Sequence, residues 1–133
     1  NYSGYYAIEM VEPVTIKIFS LTQEICKLIA KILDKYNFHH DCILVNDADT
    51  KELLEEKMDS GILNPGVLIV DKEIPVNLKE VIVRKYPGTE IICLPSLDVT
   101  DGFDSKMIQH ISEPLRLSEF ETVLLKITKR DRK

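Results

Sequence analysis

The segment NPGVLIVDKEIP, residues 64–75, holds the most informative pattern of the chain. Its first three residues favour a turn. The next four, residues 67–70, are all apolar, and Asp71 follows them directly. A short apolar run between turn signals is typical of a strand buried on both faces, as in a parallel sheet covered by helices. The segment therefore predicts a buried parallel strand that ends in a carboxylate.

Strand-like and helix-like patterns alternate on either side of this segment. Runs of β-forming or apolar residues lie at 14–19, 42–45, 91–94 and 107–111, and apolar residues at helical spacing lie at 25–36, 49–58, 78–82 and 117–127. Alternating elements of this kind form parallel sheets with helices on both faces. We therefore predict an α/β fold, in which a doubly wound sheet of five parallel strands is the middle layer of a three-layer sandwich.

Local signals predict where two of the helices begin and end. Ser20 or Thr22 can cap the first helix, and Asn37 can end it because asparagine tolerates left-handed backbone angles. Asp49 and Glu52 have the spacing of a capping box, which predicts that the second helix begins at Asp49.

Length and composition limit the class of protein. The chain has 133 residues, 44% of them hydrophobic and 29% charged, which indicates one folded domain rather than a disordered chain. We expect residues 1–13 to be a linker or N-terminal extension and 14–133 to be the domain. No apolar run approaches the ~20 residues that span a bilayer, and the N-terminus lacks the pattern of a signal peptide. A cytoplasmic domain without membrane contact is the expectation.

Net charge and cysteines exclude further classes. A net charge of −5 makes the domain a poor binder of nucleic acid, whose phosphates are bound by clustered Lys and Arg. Cys26, Cys42 and Cys93 show neither CxxC nor Cys/His ligand spacing, so neither zinc nor a disulfide framework is predicted. We expect reduced thiols. His39 and His40 are expected in a solvated loop before the second strand.

The carboxyl ends of the strands are the expected functional edge. In open α/β sheets, ligands bind in the crevice beyond these ends. The rule selects six positions. Ser20 and Leu21 follow the first predicted strand, and Asp71 follows the third. Pro95 and Ser96 follow the fourth strand, and Glu113 follows the fifth.

Three features together resemble a known family. Asp71 ends an apolar strand and is followed by Pro75, and Ile111-Ser-Glu-Pro114 precedes the last helix. With the order of elements and the length, this resembles the receiver domains of two-component response regulators over about residues 14–130. The resemblance implies a flavodoxin-like domain in phosphorelay signalling, excised from a hybrid sensor histidine kinase or a response regulator. Its partner would be a histidine kinase, a histidine phosphotransfer domain or other domains of the same chain.

The resemblance also implies which residues form the site. In the family, the aspartate after the third strand accepts a phosphoryl group from histidine with the help of Mg²⁺. An acidic pair after the first strand binds the metal, a Ser or Thr after the fourth strand and a Lys-Pro after the fifth bind the phosphoryl group, and the fifth strand carries an aromatic switch residue. In this chain those positions fall on Ser20 and Leu21, on Pro95 with Ser96 next to it, on Glu113 before Pro114, and on His110. Asp71 and Pro75 match the family pattern.

These departures predict a pseudo-receiver, a degenerate receiver that is not an enzyme and acts by protein–protein contact. Ser20 and Leu21 offer no anionic ligands for a hard cation, and Glu113 places a second negative charge where a phosphate would be bound. No metal or other cofactor is therefore expected. Only eleven residues separate Pro95 from Met107, so the family's fourth helix is expected to be shortened or lost.

Two other functions stay open. The first is a competent receiver that is phosphorylated on Asp71, with Mg²⁺ held by Asp71 and by Asp47, Asp49 or Glu73. The second is a flavodoxin-like enzyme or nucleotide binder, which the sequence disfavours because no glycine-rich phosphate loop follows a strand.

Overall fold

The computed structural model describes residues 14–94, 108–110 and 116–128. In this part of the chain the elements are β1 (Thr15–Ser20), α1 (Gln23–Lys35), β2 (His39–Leu44), α2 (Lys51–Met58), β3 (Val67–Asp71), α3 (Val76–Lys85), β4 (Glu90–Leu94), β5 (Ile108–His110) and α4 (Leu117–Thr128). The expectations for residues 1–13 and for a shortened helix after Pro95 lie outside these described residues.

The strands form one parallel sheet in the order β2-β1-β3-β4-β5. The predicted α/β class with a parallel sheet is confirmed. Four of the strands have five or six residues, whereas β5 has three and is shorter than the predicted 107–111. The chain extends the sheet towards β2 first and towards β4 afterwards, so the topological switch point lies between β1 and β3. In doubly wound sheets this point is where ligands bind.

Apolar side chains cover both faces of the sheet. The first core cluster packs α2 and α3 on one face, and the second packs α1 and α4 on the other. All five residues of β3 are buried. The wholly apolar run 67–70 arises from this position, because a central strand has no solvent-facing side.

The ends of α1 and α2 depend on side-chain caps. Thr22 is the N-cap of α1, where its Oγ1 accepts a hydrogen bond from the backbone N–H of Ile25. Asn37 has a φ of 61° just after the helix, as the sequence predicts. The predicted cap of α2 is wrong by one residue, because Thr50 caps the helix. Asp49 instead accepts hydrogen bonds from the backbone N–H of Asn46 and from Lys57 Nζ.

The structure corrects the placement of the adjacent histidines. His39 and His40 lie in β2 and pair in register with Thr15 and Ile16, rather than in a loop. The ring of His40 lies 2.8 Å from Oδ1 of Asp34. A polar β2 is tolerated because this strand is at the edge of the sheet.

The prediction of three reduced thiols is wrong for two of the cysteines. Cys26 in α1 and Cys42 in β2 are joined by a disulfide, and only Cys93 is a free thiol in the described residues. The sequence hides this pair because the two cysteines lie 16 residues apart in different elements and meet only through the packing of α1 beside the edge strand.

One lysine is buried in the middle of β1. Lys17 is fully buried, and its Nζ donates hydrogen bonds to Asp41 Oδ2 at 2.9 Å and to the carbonyl oxygens of Ser60 and Ile62 at 3.0 and 2.8 Å. Asp41 Oδ2 also accepts from the backbone N–H of Ile62. This ion pair joins β1, β2 and the loop before β3.

Candidate functional site

The fold brings Ser20 and Asp71 together at the switch point. They end β1 and β3, which are adjacent parallel strands in the register Phe19 with Val70. The hydroxyl of Ser20 donates a hydrogen bond of 3.1 Å to Oδ2 of Asp71. The backbone N–H of Leu21 lies 3.5 Å from the same oxygen. Ser20 is fully buried and Asp71 is 7% exposed, so the contact is screened little by solvent.

The second oxygen of Asp71 is held by the turn that follows β3. Oδ1 accepts a hydrogen bond of 3.0 Å from the backbone N–H of Glu73, and the carbonyl of Asp71 accepts one from Ile74. Such side-chain to backbone bonds are common for aspartate in turns. Pro75 then caps α3, and its carbonyl accepts from the N–H groups of the helix. Both carboxylate oxygens therefore have donors from the chain itself.

The hydroxyl of Ser20 is neutral, and it both donates and accepts a hydrogen bond. Besides donating to Asp71, its Oγ accepts a hydrogen bond of 3.1 Å from the backbone N–H of Thr22, just before α1. Its carbonyl accepts from Val45, which follows β2. Ser20 thus connects the ends of three strands and the start of α1 without bringing a negative charge to the site.

Lys79 is a buried charge that no sequence pattern predicts. This residue lies in the first turns of α3 and is only 4% exposed. Burial lowers the pKa of its ammonium group, while the negative charges of Asp71 and Glu73 oppose that shift. A positive charge therefore lies in the electrostatic field of Asp71, although it comes from a helix rather than from a strand end. The adjacent helical positions, Leu78 and Ile82, are core residues, so apolar spacing gave no sign of it.

Several predicted site residues cannot be placed beside Asp71. Pro95, Ser96, Glu113 and Pro114 lie outside the described residues. The backbone of His110 pairs with Cys93 in the parallel ladder of β4 and β5. The described part of the site therefore consists of Ser20, Leu21, Asp71 and the start of α3.

The acidic residues considered as substitute metal ligands form no group of three or more with Asp71 in the described part of the chain. Asp49 is engaged by Lys57 Nζ at 2.7 Å, and this hydrogen bond, with that from Asn46, lowers the pKa of its carboxyl group. Asp47 and Glu73 are exposed. Across residues 14–94, 108–110 and 116–128, no group of three or more His, Cys, Asp or Glu side chains could hold a metal ion.

An open groove adjoins the switch point. It has a volume of about 430 Å³ and is lined by Leu21, Leu44, Val45, Asn46, Asp47 and Lys57. Leu21 belongs to both places, because its backbone N–H lies near Asp71 and the residue also lines the groove. The groove therefore lies at the carboxyl ends of β1 and β2, where ligands of open α/β sheets are bound.

Comparisons with known proteins add no family to this description. No family model matches the chain, and no curated protein matches it significantly. Among the described residues, no helix is long and apolar enough to cross a bilayer.

Proposed function

We propose that this chain is a receiver-like signalling domain of flavodoxin-like fold, a pseudo-receiver that acts in a two-component or phosphorelay pathway by binding another protein. The strand order, with the switch point between β1 and β3, supports this proposal. So does the position of Asp71 at the end of the buried central strand, four residues before Pro75, the N-cap of α3.

The observation that carries the proposal is the Ser20–Asp71 hydrogen bond. A Mg²⁺ ion requires several oxygen ligands in near-octahedral geometry and usually takes one or two carboxylates. At this site a neutral hydroxyl directs its proton at Asp71 Oδ2, and both carboxylate oxygens already accept hydrogen bonds. A metal would be left with the lone pairs that these donors do not use, and it would gain no second carboxylate from β1. Phosphoryl transfer depends on such a metal to neutralise the charge on the phosphoryl oxygens.

The groove beside Leu21 and Leu44 is the proposed contact surface. In the receiver family, the start of the first helix and the strand-end loops bind the histidine-bearing partner. In this chain the same region combines exposed leucine with Asp47 and Lys57. We propose a histidine kinase, a histidine phosphotransfer domain or another domain of the same chain as the partner, in the cytoplasm, with no role for nucleic acid or a membrane.

Lys79 favours a second candidate, a phosphorylation-competent receiver. A receiver needs a cation to pair with the phosphoryl oxygens, and Glu113 stands at the position that supplies it in the family. The buried ammonium of Lys79 would restore that charge from α3. Under this alternative Asp71 would still be the phosphoacceptor.

One pair of experiments tests the proposal. The melting temperature is measured with Mg²⁺ and beryllium fluoride, which mimics a phosphoryl group on aspartate; we expect no fluoride-dependent shift in the wild type or in Asp71→Asn. A shift confined to the wild type would favour the second candidate.

Binding to a panel of histidine phosphotransfer and kinase dimerisation domains is then measured by calorimetry. Leu44→Glu should weaken it at least tenfold, whereas Leu63→Glu, which changes a leucine outside the groove that is 56% exposed, should not. Equal effects of both variants would contradict the proposed surface.

A further inference from the structure

The disulfide between Cys26 and Cys42 lies at an accessible edge of the molecule. Cys42 is exposed on the edge strand β2, and Cys26 is 8% exposed on the facing side of α1. Their Cα atoms are 6.3 Å apart, within the range of about 4.4–6.8 Å that a disulfide can bridge. Both the bonded and the reduced pair can therefore exist with little movement of the backbone.

The surroundings of the pair suit exchange with a small molecule. A shallow groove of about 250 Å³ is lined by Gln23, Cys26, Lys27, Cys42 and Leu44. Cys26 is the fourth residue of α1, near the positive end of the helix dipole, and Lys27 is its neighbour. The helix N-terminus and Lys27 favour the thiolate, the form that attacks disulfides, and Glu24 in the same turn opposes them.

Cys93 provides an internal contrast. It is 1% exposed in β4, and desolvation raises the pKa of its thiol to about 12. A thiol of this kind is almost wholly protonated at neutral pH and is inaccessible. The chain therefore carries a cysteine pair with one exposed member, Cys42, and one inert, buried cysteine.

We infer that Cys26 and Cys42 form a reversible thiol–disulfide site that exchanges with small-molecule disulfides of the glutathione class. In the oxidising direction, the exposed Cys42 thiolate attacks the small disulfide, forms a mixed disulfide and releases one small thiolate. The Cys26 thiolate then attacks the Cys42 sulfur, forms the protein disulfide and releases the second small thiolate. Two protein thiols are oxidised, one small disulfide is reduced to two thiols, and the two protons from the cysteines pass to the departing thiolates. The reverse sequence reopens the pair.

Closing the pair has a mechanical consequence. The bond ties the first turns of α1 to the edge strand and closes the loop that contains the rest of α1 and the start of β2. A disulfide that closes a loop of about 15 residues stabilises a protein mainly by restricting its unfolded chain. The oxidised form should therefore melt roughly 5–10 °C higher than the reduced form. The exchange chemistry holds whether or not the domain binds a phosphorelay partner.

The test uses the full chain at neutral pH in buffers with set ratios of reduced to oxidised glutathione. Free thiols are alkylated and counted by mass, and the modified residues are located by peptide mapping. We expect Cys26 and Cys42 to become protected together and reversibly, with Cys93 unchanged, and the melting temperature to rise with them. Cys42→Ser should abolish the temperature shift. Cys26→Ser should accumulate a mixed disulfide on Cys42, because no resolving thiol is left.

Three results would overturn the inference. The pair could stay reduced in excess oxidised glutathione, the wild type could accumulate the mixed disulfide instead of closing, or the bond could resist reduced glutathione in the folded protein. The last result would mark a permanent structural disulfide. Circular dichroism of each variant shows whether it is folded, and the wild-type titration decides the question even if a variant does not fold.

Discussion

Ser20 Oγ donates a hydrogen bond to Asp71 Oδ2 across 3.1 Å, between the ends of two adjacent parallel strands. A hydroxyl in this position satisfies the buried carboxylate as a donor, whereas a carboxylate would need a cation between the two groups. The buried carboxylate of Asp71 is therefore satisfied without a cation, because β1 ends in a serine.

Placing carboxylates at the end of β1 should create a dependence on Mg²⁺. In the variant Ser20→Asp/Leu21→Asp, a buried negative charge would face Asp71, so we expect a loss of at least about 2 kcal/mol of stability in EDTA. Saturating Mg²⁺ should restore about 2–3 kcal/mol, since a ligand at 100 times its Kd stabilises by about 2.7 kcal/mol. Denaturant titration with and without Mg²⁺ measures both effects. The exposed pair Ser60→Asp/Leu63→Asp is the control and should show neither; stabilisation of the wild type by Mg²⁺ would contradict this expectation.

Removing the buried lysine of β1 should destabilise the domain strongly. Lys17→Met leaves Asp41 and two carbonyl oxygens without their common donor. Removing one partner of a fully buried ion pair costs about 3–5 kcal/mol, and because the Asp41 side chain is 26% exposed we expect a loss near the lower end of that range. Urea denaturation gives the value, and Lys51→Met, at an exposed position of α2, should change stability by less than about 0.5 kcal/mol. Similar values for the two variants would show that the Lys17 pair does not hold the loop before β3.

Acid should remove the contribution of the Asp49–Lys57 pair. The folded pKa of Asp49 is lowered by Lys57 and by the backbone of Asn46. This contribution is complete above the ordinary aspartate pKa and is lost as the pH falls through the lowered value. The free energy of unfolding of the wild type should thus exceed that of Asp49→Asn by no more than about 1 kcal/mol at neutral pH. This difference should vanish in acid. Denaturation series from pH 7 to pH 2 test this, and a difference that grows in acid would contradict it.

Lys79 should be a residue whose removal does not weaken the fold. Its folded pKa is lowered by burial, so between that value and 10.5 the unfolded state binds more protons and wild-type stability rises with pH. Lys79→Met keeps the apolar volume and removes the buried charge. We expect it to be as stable as the wild type or up to about 1 kcal/mol more stable at pH 7, with the advantage disappearing towards pH 10.5. Denaturation curves of both proteins at pH 7 and pH 10 measure this difference in stability. A loss of several kcal/mol in Lys79→Met would reveal a strong ion pair of Lys79.

The sequence predicts the elements well because each depends on local spacing. The apolar run 67–70 and the helical spacing from Ile25 to Tyr36 both correspond to observed elements. The meeting of Ser20 with Asp71 also follows, because the carboxyl ends of parallel strands share one edge. These inferences need only the order of elements and the rule for strand ends.

The missed features depend on contacts between distant elements. A lysine in a β-forming run gives no sign that its partners are the carbonyls of a loop 43 residues later, as for Lys17 and Ser60. Cys26 and Cys42 meet only when α1 lies along the edge strand. The burial of Lys79 follows from how α3 packs on the sheet. None of these contacts has a signature at short range.

Intact-mass measurement after incubation with Mg²⁺ and acetyl phosphate tests the absence of a working phosphoacceptor site most directly. We expect wild type and Glu113→Lys to keep the unmodified mass, because neither has a carboxylate at Ser20 or Leu21 to bind the metal. A stoichiometric phosphoryl adduct on the wild-type chain that disappears in Asp71→Asn would contradict the pseudo-receiver proposal.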